Sequence, residues 1–546
     1  MRKITILLPL LYVFLTASAI FASDIFNHSV KCGTPEAIQH FNSVVGKRAL
    51  YQRQDFESDA VSAEGHFRVH YNTTGYHKPV LTDNDTNGIP DWIDSTLVYM
   101  EYAWNLQINE LGYDMPNPDD GRGGGDEIDV YIWNFGTGSY GVTEPEKNED
   151  GSITSYIMID NDYSESQYAT KGYAALRVTT AHEFFHTIHF HYVPDFYMQL
   201  SWWMEQTAVW MEDRAWDDVN DYLAYLRFFF GGTYDNQKYP LYSKNTALDY
   251  NYTNFRYGAA IWAMFLAKRY GDDQIKTIWE TFRNSSYPRI ADFEQAMREG
   301  TSNETGLADA FQEFAIWNYF TKDNANTDDF YSDADLFQVG VTSDFFYDNN
   351  PSEGSSGITN LTSRYIELLF VGDWNQHDRL NVSVTKNDGG SYKNSVVFFN
   401  DPYDYSIQSV PETGGQLTLT KQWDKAVLII SCTTTFSKEY TIDFTAEMEH
   451  STDVQSHPLY AFDLHGAYPN PFNPTTTISF SLAKPGNTTV NVFNTAGQKI
   501  DELFTGYLPA GEKQIVWKPS GLSGGLYFIM VTTPHGAKTT KVLLLK

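Results

Sequence analysis

Residues 180–186 read TAHEFFH and lie in a longer stretch, 174–191, that contains neither proline nor glycine. This pattern predicts a helix over 173–192, on which His182 and His186 lie one turn apart on the same face. Two neutral imidazoles at this spacing can bind one Zn²⁺, and Glu183 lies beside them, where it can accept a proton from a metal-bound water. The stretch therefore predicts a zinc site built on a helix.

A catalytic zinc ion needs a third protein ligand and an open position. A second helix is predicted over 200–213, where residues 201–213 read SWWMEQTAVWMED. Glu205 follows His186 after 18 intervening residues, enough for a helix end, a turn and a returning helix. Glu212 falls two turns later on the same face. It either accepts a hydrogen bond from the outer nitrogen of a ligand histidine or is an ordinary solvated carboxylate.

The HExxH motif is followed, after 18 residues, by a glutamate within the pattern Trp-x-x-Glu-x-x-Ala-x-Trp. This combination resembles the gluzincin zinc peptidases, including their aminopeptidase branch. The resemblance is close over 180–213 and loose over the helices to about 320. It implies an α+β, zincin-like catalytic domain in which His182, His186 and Glu205 bind zinc and Glu183 is the general base.

Two departures from the aminopeptidase pattern favour an endopeptidase acting on polypeptides. Gln206 stands where those aminopeptidases usually have glycine, and no Gly-x-Met-Glu-Asn stretch precedes the motif. Two alternatives stay open: an aminopeptidase, and a non-catalytic cell-surface adhesin on a peptidase scaffold.

Peptide hydrolysis also needs a donor for the developing oxyanion. Residues 256–262, RYGAAIW, resemble the helix that supplies a tyrosine in related peptidases, which makes Tyr257 a catalytic candidate. Alignment on the Gly-Ala pair, however, places Phe255 at the expected position. In a chain with 37 tyrosines, a packing role for Tyr257 is the alternative.

Residues 83–94 read DNDTNGIPDWID and match the calcium-loop pattern, with oxygen ligands at its usual positions and glycine at the sixth. Asp94 replaces the usual glutamate at the last position. An Asp- and Asn-rich turn without an ion is the alternative. The predicted calcium ligands are Asp83, Asp85, Asn87, the carbonyl of Ile89, Asp91 and Asp94.

The 38 basic and 69 acidic residues give a net charge of −31, which disfavours binding to nucleic acid or anionic membranes. Arg2 and Lys3, an apolar run and small residues predict a signal peptide over 1–23, with no transmembrane segment in the mature chain. Cys32 and Cys432 are too few for a cysteine zinc site. They form one disulfide or stay free thiols.

The length of 546 residues predicts three or four domains. Residues 24–64 form an N-terminal extension or propeptide, 65–335 the catalytic domain, and 355–450 a β-sandwich with period-two alternation. Strands are expected at 67–71, 128–133 and 155–159, and the segment 155–160 is a candidate for pairing with an extended substrate. Further helices are expected near 92–111 and at 216–229, 257–270, 273–283, 290–298 and 306–319.

Residues 461–546 form a last, Ig-like β domain. Its sequence begins AYPNPFNPTTTI at 467–478, continues through VNVFNTAGQ at 490–498 and SGGLYF at 523–528, and closes with KVLLLK at 541–546. This stretch resembles the C-terminal sorting domain of type IX secretion cargo. The resemblance implies export through the periplasm by the type IX machinery to a secreted or surface-attached location. A carbohydrate- or wall-binding β-sandwich is the alternative.

Overall fold

The computed structural model describes residues 31–43 and 53–545, apart from 137–138, 194–199, 231, 235–236, 240–252, 337–343, 348–351, 370–375, 387–388, 437–438, 451–461, 483–484, 496 and 534–535. The predicted signal peptide, 1–23, lies outside the described residues, as do residues 24–30 and 44–52 of the 24–64 extension. The chain divides into two compact units, Met1–Glu449 and His450–Lys546.

A five-stranded sheet begins the first unit, in the order β1-β2-β3-β5-β4. β2, β3 and β5 run parallel, while β1 and β4 run antiparallel to their neighbours. The strands predicted at 67–71, 128–133 and 155–159 are confirmed as β2, β3 and part of β5. The strands are β1 (Ser58–Val61), β2 (Phe67–Tyr71), β3 (Ile128–Trp133), β4 (Gly141–Lys147) and β5 (Ile153–Asp160).

β4 was not predicted from the sequence, and it is an edge strand. It reads GVTEPEK, with a proline and two glutamates that disfavour a strand assignment. Proline is tolerated at a sheet edge because its missing N–H removes no bond inside the ladder. The expectation that 155–160 pairs with substrate is therefore wrong, since β5 already lies between β3 and β4 and the open edge belongs to β4.

Helices supply most of the remainder of the first unit up to residue 335. They are α1 (Thr34–Ser43), α2 (Asp91–Trp104, continued by π-helical Asn105–Glu110), α3 (Gly172–Tyr192), α4 (Ser201–Ala215), α5 (Leu226–Phe230), α6 (Thr253–Gly258), α7 (Ile261–Tyr270), α8 (Asp272–Asn284), α9 (Phe293–Gly300) and α10 (Leu307–Tyr319), with a small hairpin of β6 (Gly232–Tyr234) and β7 (Gln237–Tyr239). Short 3-10 segments lie at Arg122–Gly124, Asp221–Ala224, Ile290–Asp292, Lys322–Asn324 and Ala334–Leu336.

Most predicted helices agree with this structure, and three differ. α2, α3, α4, α8 and α10 match their predicted ranges within about two residues. The helix predicted over 216–229 is wrong, because Asn220 adopts a left-handed φ of 45° and only the short α5 follows. The prediction over 257–270 splits into α6 and α7, and that over 290–298 begins as a 3-10 turn.

α3 is the central helix of the first unit. Residues 178–190 are all buried, so the helix has no solvent-facing stripe and is covered on every side. Its Phe184 ring packs edge-on against Phe67 of β2 and stacks on Trp104 of α2, with centroids 5.3 Å and 5.6 Å away. This packing places His182 and His186 in the interior.

Two further sheets in the same unit enclose a second core. Leu380, Val382 and Val384 are buried on β11 as predicted. The sheets have the orders β13-β12-β15-β10-β8 and β14-β11-β16-β9. Their strands are β8 (Asp344–Tyr347), β9 (Ser352–Thr359), β10 (Thr362–Leu369), β11 (Arg379–Lys386), β12 (Tyr392–Asp401), β13 (Asp404–Val410), β14 (Gly414–Thr418), β15 (Lys425–Cys432) and β16 (Glu439–Glu449).

The larger of these sheets is covered on both faces, which explains its continuous apolar runs. On β15, Leu428 and Ile430 join the core between the two sheets, whereas Val427 and Ile429 join the core of the helical region. The Tyr365 hydroxyl donates to the carbonyl of Ala315 in α10 at 2.7 Å. The sandwich and the helical region therefore share one compact unit.

The second unit is rich in β-structure, with two sheets in the orders β17-β18-β21 and β20-β19-β22-β23. Its core includes Trp517, Phe480 and Ile529. The strands are β17 (Phe462–Tyr468), β18 (Thr476–Leu482), β19 (Gly486–Phe493), β20 (Lys499–Leu508), β21 (Gly511–Trp517), β22 (Gly525–Thr533) and β23 (Gly536–Leu544). None of the helices in the described part of the chain has the length and apolarity that crossing a bilayer requires.

Candidate metal centre

Four side chains converge inside the first unit: His182 and His186 of α3, Glu205 of α4, and Cys32. Their ligand atoms all lie within 4.8 Å of one another, and all four residues are buried. The two Nε2 atoms are 3.1 Å apart, and each lies 3.4 Å from a different oxygen of Glu205. The structure therefore brings together the three predicted zinc ligands, with a thiol that was not predicted beside them.

The Glu205 carboxylate shows that this cluster suits a cation. The residue is fully buried, and neither oxygen accepts a hydrogen bond from any described residue. A buried carboxylate without partners is strongly destabilising unless a cation satisfies it. Two imidazoles and one carboxylate are also a usual protein ligand set of a catalytic zinc ion.

The electrostatics of His182 agree with this interpretation. Burial opposes a charge on the imidazole, but the nearby carboxylates of Glu205 and Glu212 outweigh burial and raise the pKa of His182 to about 10. Burial likewise raises the pKa of Glu205, and the nearby His186 and His182 more than offset it, so the pKa falls below its usual value. The cluster thus favours positive charge.

The outer nitrogens of both histidines have partners that orient the rings. His182 Nδ1 lies 2.6 Å from Glu212 Oε1, and Glu212 is only 2% exposed, so it is not a solvated carboxylate. His186 Nδ1 lies 3.1 Å from Nδ1 of His189, whose Nε2 is 3.1 Å from the Thr207 hydroxyl. Such outer contacts leave Nε2 of each ring free to bind a metal.

His189, which the sequence analysis did not single out, contacts one of the predicted ligands. Burial, reinforced by the neighbouring His186, lowers the pKa of His189 well below its usual value. The ring is therefore neutral and can accept from His186 while donating to Thr207. The sequence signal that could have identified His189 is its position one helical turn after His186.

Glu183 lies against the edge strand β4. Its Oε2 accepts hydrogen bonds from the hydroxyls of Thr143 at 2.7 Å and Thr34 at 3.3 Å. Gly141 allows this approach, because a Cβ there would lie 2.7 Å from Glu183 Oε1. Sequence reasoning identified Glu183 but not the β4 residues that hold it.

Tyr257 is buried and touches the segment that carries Cys32. Its hydroxyl accepts from the main-chain N–H of Cys32 at 3.1 Å and donates to the Cys32 carbonyl at 3.2 Å. The tyrosine therefore lies next to the candidate centre, and its catalytic role stays a prediction.

Residues Lys31 to Thr34 cover this centre. The Gly33 N–H donates to the Gly141 carbonyl at 2.9 Å, and the Tyr140 N–H donates to the Lys31 carbonyl at 2.8 Å. Cys32 thereby forms a parallel bridge to Gly141, at the start of the open edge of β4. The space enclosed by Lys31, Cys32, Tyr140, Thr179, His182, Glu183 and Glu212 has no room for a water molecule.

The predicted calcium loop brings three of its carboxylates together. Oxygens of Asp83, Asp85 and Asp91 lie within 4.8 Å of one another, and Asp83 Oδ1 is buried without a hydrogen-bond partner among the described residues. Asn87 bridges Asp85 and Asp94, with its Nδ2 3.2 Å and 3.0 Å from their carboxylates. The Ile89 N–H donates to Asn87 Oδ1 at 2.7 Å.

The C-terminal unit resembles a known family. Residues 466–546 match the family described as "Secretion system C-terminal sorting domain", the type IX secretion domain expected from the sequence. The chain is secreted or attached to the cell surface. The match also makes the type IX secretion machinery a partner of the chain.

No curated protein matches the sequence. Among solved structures, the chain is similar to the g-type lysozyme inhibitor PliG of Aeromonas hydrophila, at 7% identity, over 20% of this chain and 96% of that chain, with a TM-score of 0.16. It is similar to the adhesin domain of Epf from Streptococcus pyogenes at 9% identity, over 35% and 76%, with a TM-score of 0.13. A β-galacturonidase from Eisenbergiella tayi shares 13% identity, over 35% of each chain, with a TM-score of 0.13. TM-scores this low support no inference about fold or function.

We expect Glu212→Gln to weaken zinc binding by about 10- to 100-fold, because the amide keeps the shape of the side chain but loses the charge that orients His182. Competition with a chromophoric chelator measures the affinity. Asp213→Asn, the adjacent position on α4, is the matched control and should bind zinc like the wild type. Equal affinities for all three proteins would contradict the orienting role of Glu212.

Proposed function

We propose that this secreted chain is a zinc-dependent endopeptidase with a zincin-like catalytic domain. The observation that carries the proposal is the convergence of two Nε2 atoms on a buried carboxylate that has no hydrogen bond of its own. His182, His186 and Glu205 would hold the ion. A zinc ion bound there would polarise a peptide carbonyl and acidify water.

The residues of the chain itself divide the remaining tasks. Glu212 and His189 hold the two ligand imidazoles in one orientation and one tautomer. Glu183 is the general base, which takes a proton from the attacking water at its carboxylate and returns it to the leaving amine. Thr143 donates to that carboxylate and so orients it. The burial of all these groups in one core keeps their spacing constant.

The outer edge of β4, which pairs with no other strand of the sheet, supports an extended polypeptide as the substrate. A peptide lying along an edge strand gains main-chain hydrogen bonds without any sequence requirement. β4 starts at Gly141, directly beside Glu183, so a peptide on that edge passes the base. This arrangement favours cleavage inside a polypeptide chain. The lack of a Gly-x-Met-Glu-Asn stretch, which binds the free amino terminus of a substrate in the aminopeptidases, favours the same conclusion.

We expect Glu183→Gln to retain one zinc ion per chain and to lose at least 100-fold in casein hydrolysis, because the amide cannot accept the proton. Metal analysis and hydrolysis are measured before and after limited trypsin treatment, since residues 31–34 cover the site. Glu101→Gln, at a carboxylate that pairs with His66 2.7 Å away, is the matched control.

Three results would contradict the proposal in different ways. A wild-type chain that binds no zinc would show that the proposed metal centre does not exist. A zinc-bound chain that hydrolyses nothing, with or without trypsin, favours the non-catalytic surface-protein alternative. Cleavage of peptides with a free amino terminus, but not of blocked peptides, favours the aminopeptidase alternative.

We also propose that Asp83, Asp85 and Asp91 bind Ca²⁺, with Asn87, Asp94 and the Ile89 carbonyl as further ligands. Support comes from the close approach of the three carboxylates and from the unpartnered oxygen of Asp83. The loop leads directly into α2, whose Trp92 and Ile93 are buried in the main core. An ion there would stabilise the start of that helix.

We expect saturating Ca²⁺ to raise the melting temperature of the chelator-treated wild type by several degrees, since an ion at about 100 times its Kd adds about 2.7 kcal/mol. Asp83→Ala combined with Asp85→Ala should abolish the rise. Asp126→Ala, which lies outside the 83–94 loop, should leave it unchanged. Differential scanning calorimetry measures these shifts, and a wild type that does not respond to Ca²⁺ would rule the site out.

A further inference from the structure

The Cys32 thiol occupies the remaining side of the metal cluster. Its Sγ lies 3.5 Å from His186 Nε2, and it belongs to the same group of ligand atoms, all within 4.8 Å. Thiolate sulfur is a strong zinc ligand. The carboxylate of Glu205, which is fully buried and accepts no hydrogen bond from the described residues, faces the same space and is independent evidence that an ion belongs between these atoms.

Hydrogen bonds also fix the backbone at Cys32 and at the residues on either side of it. Residues 31–33 pair with 140–141 at the start of β4, so they occupy the edge on which the proposed substrate would lie. The Tyr257 hydroxyl bonds both the N–H and the carbonyl of Cys32. A substrate and this segment therefore cannot occupy the same place together.

Two nearby side chains, those of Lys31 and Thr34, contact other residues of the proposed active site. The Lys31 ammonium is 3% exposed, lies 2.7 Å from Glu212 and also pairs with Asp221. Its partner Glu212 is the carboxylate that orients His182. Thr34 donates to the carboxylate of Glu183. Three nearby residues thus contact the metal cluster, the base and the orienting carboxylate.

We propose that the segment Lys31–Ser43 is a built-in inhibitor of the peptidase, with the Cys32 thiolate as the fourth ligand of the metal. This inference rests on the proposed function. Sulfur in that position excludes the water that peptide hydrolysis requires. The chain becomes active when a peptidase hydrolyses one peptide bond that joins this segment to the catalytic region, consuming one water, and the segment leaves.

Cys432 provides the matched control for this proposal. Both cysteines are buried, and neither forms a disulfide in this structure. Cys432 lies at the end of β15 in the core of the sandwich, opposite Thr362 and Tyr392 on the adjoining strands. Its replacement removes a thiol without touching the metal cluster.

X-ray absorption at the zinc edge tests the ligand assignment on the intact, zinc-loaded full chain. We expect one sulfur at about 2.3 Å and the remaining ligands at about 2.0–2.2 Å from the metal. Cys432→Ala should give the same spectrum, whereas Cys32→Ala and Cys32→Ser should lose the sulfur. Zinc bound without sulfur in the wild type overturns the inhibitor proposal and leaves the proposed function intact.

Peptidase assays on the same full-length proteins test the inhibitory role. Without trypsin, Cys32→Ala should hydrolyse casein at least tenfold faster than the wild type or Cys432→Ala, and trypsin should reduce that difference. Equal rates for wild type and Cys32→Ala, with zinc content and melting temperature preserved, overturn the proposal. A chain that binds no zinc overturns both this proposal and the function on which it rests.

Discussion

The buried carboxylate of Glu205 is the constraint on which the helical region of the first unit depends. It is fully buried and faces two imidazoles, and a negative charge there is strongly destabilising unless a cation lies beside it. The residues around Glu205 fix the geometry of a site that could hold such a cation. Glu212 and His189 orient the two ligand rings, β4 holds Glu183 beside them, and the all-round burial of α3 keeps every group in one position.

The features that the sequence predicts well are local ones. Helical spacing alone places His182 and His186 on one face, and the following helix carries Glu205 back to them. Period-two alternation identifies the buried face of β11, because adjacent side chains on a strand point to opposite sides. The C-terminal stretch is predictable for another reason: its motifs extend over most of one domain, and a known family matches residues 466–546.

The features that the sequence misses depend on distant contacts or on tertiary context. Cys32 lies 154 positions from His186, and no periodic pattern relates them. β4 carries Pro145 and charged residues, which an edge position tolerates but which disfavour a strand prediction. The 216–229 segment has helical composition, yet the left-handed backbone at Asn220 ends any helix there. The Glu183 contact with Thr143 follows from the β4 position and was equally unpredictable.

Anomalous diffraction from crystals of the full chain, collected on both sides of the zinc absorption edge, tests the central claim most directly. The account predicts one strong zinc peak within bonding distance of His182 Nε2, His186 Nε2 and a Glu205 oxygen. A crystal grown with zinc that shows no peak between these atoms, or a Glu205 carboxylate turned away from the two imidazoles, would contradict it.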